Sequence, residues 1–421
     1  MTGYPDLDRL HLTKVLRRFP GEGIPDLEAA VAAEFSRPDS PFRDLRPGAR
    51  IAVAAGSRGI ANLAPVVRAV VRELRSRDAR PFVIPAMGSH GGATAEGQRE
   101  VLAGYGVTEA GVGAPVVSSL DVVELPAAPD GTRVYISRDA WESDGVLLVN
   151  RVKPHTDFHG SHESGLVKMA VIGLGKHAQA LEIHSHGVAG LRERILPAAR
   201  VVLGTGKVLG GLGIVENARE ETAVLRLVPA EEIVGADRDL LELAKSLQPR
   251  LPVDDLDVLL VDEMGKEVSG VGMDSNVIGR IRVRGQEEPA RPRISSIAVF
   301  DLTEASHGNA LGVGLADVIT RRLRDRIDLR VTAENVVTSG FLERGKVPLA
   351  AETDRAAVEI ALRGASVRDL SRARILRIRN TLRLGEFWIS DALLRDLAGR
   401  EGVEITGERA PLLDGSDLAR F

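Results

Sequence analysis

The strongest constraint on the fold is an alternation of short apolar runs with amphipathic segments. Arg50–Ala55 and Pro81–Ala86 are apolar runs typical of buried strands, and Ala61–Arg75 between them carries leucine and valine at helical spacing. A strand, a helix and a second strand in this order form a βαβ unit, which predicts a parallel sheet with a right-handed crossover. The chain is therefore predicted to have an α/β fold.

The same pattern predicts further elements along the chain. The other predicted strands are Val122–Leu125 and Val134–Ile136, with a hairpin turn at Asp130-Gly131, then Gly145–Val152, Leu256–Val261, Ile294–Phe300 and Ile375–Ile378. The other predicted helices are a stretch that follows the glycine-rich turn Gly88–Thr94 and ends near Tyr105, then Lys176–His186, Leu315–Arg326 and Arg355–Leu362.

Two prolines mark the predicted domain boundary. Pro249 and Pro252 interrupt a helical segment that ends near Leu247. We expect residues 1–252 to form one domain and residues 253–421 a second, with about the last 20 residues packing on either of them. The predicted architecture is two α/β domains with mostly parallel sheets and an active-site cleft between them.

Composition excludes several classes of function. The formal net charge of −4 over 421 residues gives no signal for binding a polyanion, so we expect no nucleic-acid partner. Cysteine is absent, which excludes disulfides, thiolate nucleophiles and zinc–thiolate sites. Any metal would therefore have to be bound by histidine, by carboxylate or through a cofactor.

Two stretches bear on the cellular location. The first residues, MTGYPDLDRLHLTK, are acidic where a signal peptide needs a basic start and an apolar stretch. The weakly polar region Ile195–Val215 is interrupted by Arg200, Lys207 and several glycines, so it falls short of the roughly 20 apolar residues that span a bilayer. We expect a cytoplasmic protein that does not enter a membrane.

Most of the chain's histidines lie in one segment, residues 151–187. Six of the nine histidines are there, together with three lysines in a chain that otherwise prefers arginine. These residues are His155, His159, His162, His177, His184, His186, Lys153, Lys168 and Lys176. A solvated loop and helix face would explain any one of these histidines, but it is a poor explanation for the whole cluster.

Local geometry favours a site at two positions in this segment. His155 follows the predicted strand Gly145–Val152, and open α/β sheets bind ligands beyond the carboxyl ends of their strands. Ser164 and Gly165 precede an apolar stretch, so Lys168 would lie in the first turn of a helix whose free N–H groups attract anions. A lysine there would neutralise a phosphate or form a covalent bond.

The predicted helix Lys176–His186 offers a metal ligand. His177 and His184 share one face of such a helix, whereas His186 points elsewhere. Imidazole suits nickel, zinc, copper and iron alike, so the residue type leaves the metal open.

The second domain holds weaker candidates. Lys266 follows the predicted strand Leu256–Val261 and is the candidate for binding a substrate carboxylate, while Asp274 and His307 are further candidates in nearby loops. Both loops would face the predicted cleft, and ordinary solvated loops are the alternative interpretation.

The histidine-rich segment resembles the nickel-pincer-dependent lactate racemase family of 2-hydroxyacid racemases and epimerases, as a divergent member. The resemblance rests on Ser164-Gly165 followed by Lys168, Gly173 and His184, with Pro154-His155 upstream. Two further stretches fit, Ala55-Gly56-Ser57-Arg58 and Gly88-Ser89-His90. Together they span residues 50 to 190.

The resemblance implies a bound cofactor, a nickel-pincer nucleotide of the pyridinium-3,5-bisthiocarboxylate mononucleotide type. Lys168 matches the lysine that tethers it through a thioamide, and Ser164 and Gly165 belong to the same cofactor-binding motif. His184 matches the histidine that completes nickel coordination. Arg58 matches the arginine near the cofactor phosphate and the substrate. The enzymes that make this cofactor are the implied protein partners.

The resemblance also implies an activity, which is inversion of a small 2-hydroxy acid by transient hydride transfer. His90 and His155 match the two acid/base histidines, and histidine suits this role because its unperturbed pKa is near neutrality. The loop from His155 is longer than in lactate racemases, so His159 or His162 is an alternative for that role. A histidine-based metal-dependent hydrolase or lyase, or a non-catalytic family member, is the alternative function.

Overall fold

The computed structural model describes residues 4–56 and 59–420. Arg58, one of the predicted cofactor and substrate contacts, lies outside the described residues. The chain divides into two compact units, Pro20–Gln248 and a two-segment unit made of Met1–Phe19 and Pro249–Phe421. We refer to them as the 20–248 unit and the two-segment unit.

Strands and helices alternate through most of the described chain. The strands are β1 His11–Arg17, β2 Arg50–Ala55, β3 Arg80–Pro85, β4 Val122–Leu125, β5 Val134–Ser137, β6 Gly145–Arg151, β7 Val208–Glu216, β8 Thr222–Pro229, β9 Asp255–Met264, β10 Arg293–Leu302, β11 Val318–Thr320, β12 Leu349–Ala351, β13 Ile375–Ile378, β14 Glu386–Ile389, β15 Val403–Pro411, β16 Leu413–Asp414 and β17 Asp417–Leu418. The fold is α/β, as predicted.

The α-helices range from single turns to 15 residues. They are α1 Leu27–Phe35, α2 Leu63–Ser76, α3 Ala95–Gly104, α4 Glu109–Val112, α5 Arg138–Trp141, α6 Leu166–Lys168, α7 Lys176–Ser185, α8 Gly187–Ala189, α9 Ile195–Gly204, α10 Ile233–Leu247, α11 Ser275–Ile278, α12 Arg321–Arg326, α13 Leu329–Ser339, α14 Asp354–Gly364 and α15 Leu394–Leu397. Two π-helical turns, Met169–Gly173 and Gly190–Arg194, follow α6 and α8 directly.

The 20–248 unit is built on a sheet with the strand order β3-β2-β6-β7-β8. Neighbours from β3 to β7 are parallel, which confirms the predicted parallel sheet, and β8 is antiparallel to β7. Side chains of β2 alternate between two buried clusters: Ile51 and Val53 face the cluster that contains α2, and Ala52 and Ala54 face the one that contains α6 and α9. Helices therefore cover both faces of the sheet.

The two-segment unit has a mixed sheet with the order β12-β11-β10-β9-β13-β14-β1-β15. Strands β12 to β13 run parallel, whereas β13, β14, β1 and β15 pair antiparallel. The buried residues of α14 pack against Val258 and Leu260 of β9 and against Ala298 and Phe300 of β10. This sheet is likewise a predominantly parallel core, with an antiparallel edge.

The units divide the chain differently from the predicted domains 1–252 and 253–421. Strand β1 lies between β14 and β15, pairing Thr13 with Ile389 on one side and with Arg409 on the other. Because these backbone ladders join residues 11–17 to the end of the chain, the first 19 residues group with 249–421. The last strand of that sheet, β15, pairs with β1.

Most predicted elements are present with small shifts at their ends, and one helix is wrong. Leu315–Arg326 was expected to be helical, but Val318–Thr320 forms β11, which pairs with both β10 and β12. The helix begins only at Arg321, where the Thr320 side chain accepts a hydrogen bond from the Leu323 N–H group. The β-branched run Val-Ile-Thr suits a strand, and its two ladders outweigh the helical spacing.

Within the described residues, no helix is both long and apolar enough to cross a membrane.

Candidate functional site

The loop that follows β6 returns to the same edge of the sheet from which it leaves. The Lys153 N–H donates to the Ser164 carbonyl at 2.8 Å, and the Ser164 N–H donates to the Lys153 carbonyl at 3.2 Å. Strand β6 lies parallel to β2 and β7, so this loop stands at the carboxyl edge of the parallel strands, where α/β sheets bind ligands. Most of the predicted site residues lie on this loop or just after it.

The central contact of the site joins two predicted residues. Lys168 Nζ lies 2.7 Å from His155 Nε2, and both side chains are partly buried. The ring of Phe158 lies 4.6 Å from the imidazole of His155 and 5.9 Å from Lys168 Nζ. The two nitrogen atoms therefore meet beside an apolar wall.

The surroundings of Lys168 shift the amine toward its uncharged form. Its pKa is lowered to about 8, mainly by burial; the negative charge of Asp157 acts in the opposite direction, and the positive charge of Lys153 adds to the lowering. The Asp157 N–H donates to His155 Nδ1 at 3.1 Å. Since Nδ1 accepts there, a neutral His155 carries its proton on Nε2 and donates it to the Lys168 amine.

A buried carboxylate, Glu163, organises the loop that carries His155. It accepts hydrogen bonds from the His155 N–H at 2.6 Å and the Gly160 N–H at 3.4 Å, and Lys245 Nζ lies 3.3 Å from it. Burial acts to raise the pKa of Glu163, but the hydrogen bonds from His159 and His155 and the charge of Lys245 lower it overall. Glu163 is therefore an ionised anchor for this loop.

A second buried carboxylate, Asp237 of α10, caps the helical segment that carries Lys168. Asp237 Oδ1 accepts from the N–H groups of Leu166 at 2.5 Å and Val167 at 3.4 Å, and Oδ2 lies 3.1 Å from His162 Nδ1. We expected these N–H groups to be free to attract an anion, and that expectation is wrong because Asp237 already occupies them. The anionic partner of this helix start is part of the protein.

Gly165 leaves room for that carboxylate. A Cβ atom built on Gly165 would lie 2.0 Å from Asp237 Oδ1, which is too close for any side chain. The Gly165 carbonyl accepts a hydrogen bond from Asn150 Nδ2 at 3.0 Å. Ser164 and Gly165 thus set the approach of the loop to the helix through backbone contacts.

Two further predicted residues, His184 and His90, reach the same region from other elements. His184 is exposed on α7, and its pKa is lowered by desolvation and by the positive charge of Lys168, with Asp157 acting in the opposite direction. His90 is exposed in the turn after β3. In that turn a Cβ built on Gly88 would lie 2.7 Å from Ile172 Cγ2 and 3.7 Å from Ala180 Cβ, one helical turn before His184. The turn that carries His90 therefore packs on the helical segment that carries His184.

Cations and a buried acid surround the turn after β2. A Cβ built on Gly59 would lie 3.3 Å from Lys153 Nζ and 3.6 Å from Arg151 Nη1. Arg151 Nη1 donates to the Gly59 carbonyl at 2.6 Å and lies 2.6 Å from Glu216 Oε2, while Glu216 Oε1 accepts from the Ala61 N–H at 2.9 Å. Burial raises the pKa of Glu216, against the lowering effect of Arg151. The ion pair between Arg151 and Glu216 therefore holds this turn in place.

The remaining histidines of the cluster have other neighbours. His159 Nδ1 lies 3.7 Å from Glu163 Oε2, His162 is bound to Asp237, and His186 Nε2 lies 3.7 Å from Glu182 on α7. His177 Nδ1 is buried without a hydrogen-bond partner among the described residues. Of the alternatives for the acid/base position, His155 is the one in contact with Lys168.

The candidates of the predicted second domain lie in the two-segment unit. Lys266 Nζ donates to the Gly270 carbonyl at 2.5 Å and to Asn335 Oδ1 at 2.9 Å. Asp274 is the N-cap of α11 and accepts from the Asn276 N–H. His307 has a left-handed backbone with φ of 47°. Each of these residues has a local structural role.

Within residues 4–56 and 59–420, no group of three or more histidine, aspartate or glutamate side chains is arranged to hold a metal ion.

Sequence reasoning missed the residues that support this site from behind. Asp237 and Lys245 lie on α10, which reads as an ordinary amphipathic helix, and Glu163 was one acidic residue among many histidines. Nothing in the local pattern links Asp237 to Leu166, which is 71 residues away. Only the buried position of a carboxylate would have identified it.

One comparison with known proteins covers the part of the chain that carries most of these residues. Residues 17–194 match the sequence family described as the lactate racemase N-terminal domain. Among solved structures, the lactate racemase apoprotein from Thermoanaerobacterium thermosaccharolyticum is 12% identical, with 85% of this chain and 96% of that chain covered and a TM-score of 0.47. The curated protein sequences give no match. The predicted resemblance to the lactate racemase family is confirmed over residues 17–194, which match its N-terminal domain.

Proposed function

We propose that the chain is a racemase or epimerase of a 2-hydroxy acid that works with a nickel-pincer nucleotide. The observation that carries the proposal is the 2.7 Å contact between Lys168 Nζ and His155 Nε2, within the stretch that matches lactate racemase N-terminal domains. A tethering lysine must be uncharged to form its bond, and an acid/base histidine must stand beside the bound cofactor. Both requirements are consistent with this pair.

Lys168 is the proposed tether. With a pKa of about 8, about a tenth of its amine is uncharged at pH 7, and an uncharged amine has the free lone pair that a bond to the cofactor would require. Acylation removes the basic lone pair from Nζ. His155 Nε2 then loses its acceptor, and its proton becomes available to a substrate.

His184 is the proposed nickel ligand. Desolvation lowers the pKa of His184, which favours the neutral imidazole, and only a neutral imidazole binds a metal. A metal that takes one ligand from the protein needs its other ligands from a cofactor. The donor set near Lys168 therefore fits a metal that arrives within an organic group.

The phosphate of the nucleotide is proposed to lie near the turn after β2. Lys153 and Arg151 approach Gly59 closely, so this turn combines exposed backbone with positive charge. Arg58, which precedes Gly59 in the sequence, is the proposed contact to the phosphate and to the substrate carboxylate. Ser164 and Gly165 set the loop geometry around the tether, and Lys266 remains the proposed second contact to the substrate.

The proposed chemistry needs two histidines and one supplied group. The bound nucleotide would supply a reversible acceptor for the α-hydrogen of the substrate. His90 and His155 would each hold or release the hydroxyl proton from one side of the carbon, because histidine titrates near the working pH. The substrate is a small hydroxy acid, and the proposed partners are the enzymes that make the nucleotide.

The test is to produce the chain together with enzymes that make the nickel-pincer nucleotide. Chiral chromatography should then show inversion of at least one enantiopure acid from a panel of 2-hydroxy acids. Mass spectrometry should find an adduct on the peptide that contains Lys168. Lys168→Ala should remove both the adduct and the inversion.

Three results would contradict the proposal. Full activity of Lys168→Ala would remove the tether, and hydrolysis or elimination without an adduct would favour a histidine-based metal enzyme. Stoichiometric deuterium at the α-carbon after inversion in deuterated water would argue for direct deprotonation instead.

A further inference from the structure

We propose that α10 is the support that sets the contact between Lys168 and His155, and that it acts through two of its residues, Asp237 and Lys245. We call the contacts that Asp237 makes the first arm and the contacts that Lys245 makes the second arm. This inference rests on the proposed function, because it assigns positioning roles toward the proposed tether and acid/base residue. We do not propose that Asp237 or Lys245 contacts a substrate or a cofactor. They act through the backbone segments that carry Lys168 and His155.

The first arm fixes the helical segment of Lys168. Asp237 is 1% exposed, and its Oδ1 accepts two consecutive N–H groups, those of Leu166 and Val167. Those groups lie one and two residues before Lys168, so the carboxylate sets the direction of the first turn. The 3.1 Å contact between Asp237 Oδ2 and His162 Nδ1 restrains the carboxylate from its other side.

The second arm fixes the loop of His155. Lys245 lies two helical turns after Asp237 on α10, and its Nζ is 3.3 Å from Oε1 of the buried Glu163. The other oxygen of Glu163 accepts the backbone N–H of His155 at 2.6 Å. Lys245 therefore neutralises the carboxylate that holds the acid/base residue.

The two arms end on the same contact. Asp237 orients the segment of Lys168, Lys245 and Glu163 orient the loop of His155, and these two side chains meet at 2.7 Å. Burying a carboxylate without partners is costly, and each of the two buried carboxylates has partners on both of its oxygens. A small rotation of α10 would therefore change the distance between Lys168 Nζ and His155 Nε2.

The experiment measures the reactivity of the Lys168 amine in the cofactor-free full-length chain. An acetylating N-hydroxysuccinimide ester is the probe, and the rate of acetylation of the Lys168 peptide is followed by mass spectrometry from pH 6 to 10. The charged and titratable groups near this amine are His155, Asp157, Lys153 and His184. None of them is changed in the variants.

The main variants are Asp237→Ala and Asp237→Asn, with Asp239→Asn as the control. Asp239 lies on α10 with a side chain 62% exposed and paired with Arg238. We expect Asp237→Ala to slow acetylation at pH 7 about tenfold, which corresponds to a rise of one unit in the midpoint, because a loosened site admits water to the amine. Asp237→Asn keeps an oxygen for the Leu166 N–H and should stay within about threefold of wild type, as should the control.

The variant Gly165→Ala disturbs the same contact of Asp237 by a change in the segment that carries Lys168. Its Cβ needs the position of Asp237 Oδ1, so the carboxylate must move and acetylation should slow as in Asp237→Ala. In the double variant Gly165→Ala, Asp237→Ala the losses should not add, because both remove one interaction. This variant replaces Asp237→Ala if that chain does not fold.

The second arm is tested with Lys245→Met against the exposed control Arg238→Met. Lys245→Met should slow acetylation at pH 7 by about threefold or more, and the control should leave it unchanged. A purely structural role predicts lower melting temperatures with a wild-type acetylation profile, and that result in folded Asp237→Ala or Gly165→Ala would overturn the proposal. Since acetylation reports on the amine without any turnover, the outcome is independent of whether the chain inverts a hydroxy acid.

Discussion

Lys168 Nζ and His155 Nε2 lie 2.7 Å apart, and the second ring nitrogen of His155 accepts from the Asp157 N–H at 3.1 Å. The imidazole can donate to Lys168 only while that amine keeps its lone pair. A protonated Lys168 has no lone pair left to accept this hydrogen bond. Charged residues near Lys168 should therefore change the reactivity of its amine.

Asp157 and Lys153 should shift the reactivity of Lys168 in opposite directions. The pKa of Lys168, about 8, is lowered by burial, raised by the charge of Asp157 and lowered by that of Lys153. Asp157→Asn should therefore move the acetylation midpoint below the wild-type value, and Lys153→Met should move it above. Acetylation rates from pH 6 to 10 measure both, with the exposed Lys346 as internal reference. Shifts of the same sign would contradict this electrostatic account.

His184→Ala should lower the nickel content of chain produced with the cofactor enzymes, while His186→Ala should leave it nearly unchanged. His186 lies 3.7 Å from Glu182 on α7, whereas the pKa of His184 is lowered by desolvation and by the charge of Lys168. Metal analysis of the purified variants checks this. Loss of nickel in His186→Ala alone would move the proposed ligand to that residue.

His90→Ala and His155→Ala should each block inversion in both directions. Each direction uses one histidine as base and the other as acid, and such groups contribute about 100- to 10,000-fold in rate. The tether adduct should remain in His90→Ala. Initial rates from each enantiomer measure the loss, and a large loss for one residue with a small loss for the other would contradict the two-sided assignment.

Arg151→Met should lower the free energy of unfolding by about 3–5 kcal/mol, because it leaves a buried carboxylate without its cation. The side chains of Arg151 and Glu216 are 18% and 1% exposed. Arg151→Met with Glu216→Gln should recover part of this loss, since the uncharged amide needs no counter-ion. Urea unfolding measures both. Arg238→Met, in an exposed pair, should change stability little.

The free energy of unfolding should rise between pH 8 and pH 10.5 because of the buried Lys176. This side chain is fully buried, its Nζ donates to the Pro85 carbonyl at 2.6 Å, and burial lowers its pKa to about 8 from 10.5. Between these values the unfolded chain binds a proton that the folded chain does not, so the folded state gains on the order of 3 kcal/mol at most. The difference in unfolding free energy between wild type and Lys176→Met should rise over this window, and a constant difference would contradict it.

The sequence predicts features that depend on local spacing. The strand Ile375–Ile378 has the predicted bounds, and Arg50–Ala55 and its parallel partner after α2 are confirmed, because apolar periodicity reports directly on burial. His155 and Lys168 were predicted as site residues, and the structure brings them together. Both residues lie on or just after the loop of residues 152–165 between β6 and α6, so their meeting depends on one continuous stretch of sequence.

Contacts between distant parts of the chain were not predictable. Asp237 caps a helix 71 residues before it, and no pattern around either residue requires the other. The short strand β11 was taken for helix because its three residues become a strand only through β10 and β12. In both cases the structure of a segment depends on another segment that is distant in the sequence.

The position of β1 between β14 and β15 has a consequence for synthesis of the chain. This strand is made before the 20–248 unit, but its two partners at residues 386–389 and 403–411 are made after that unit. At about 5–20 residues per second on the ribosome, its apolar residues wait roughly 20–75 s without their ladders. During that time the whole 20–248 unit emerges and can close its own sheet. The two-segment sheet can be completed only after residues 403–411 have emerged, so mutations that weaken β15 should harm folding yield more than their effect on the folded protein suggests.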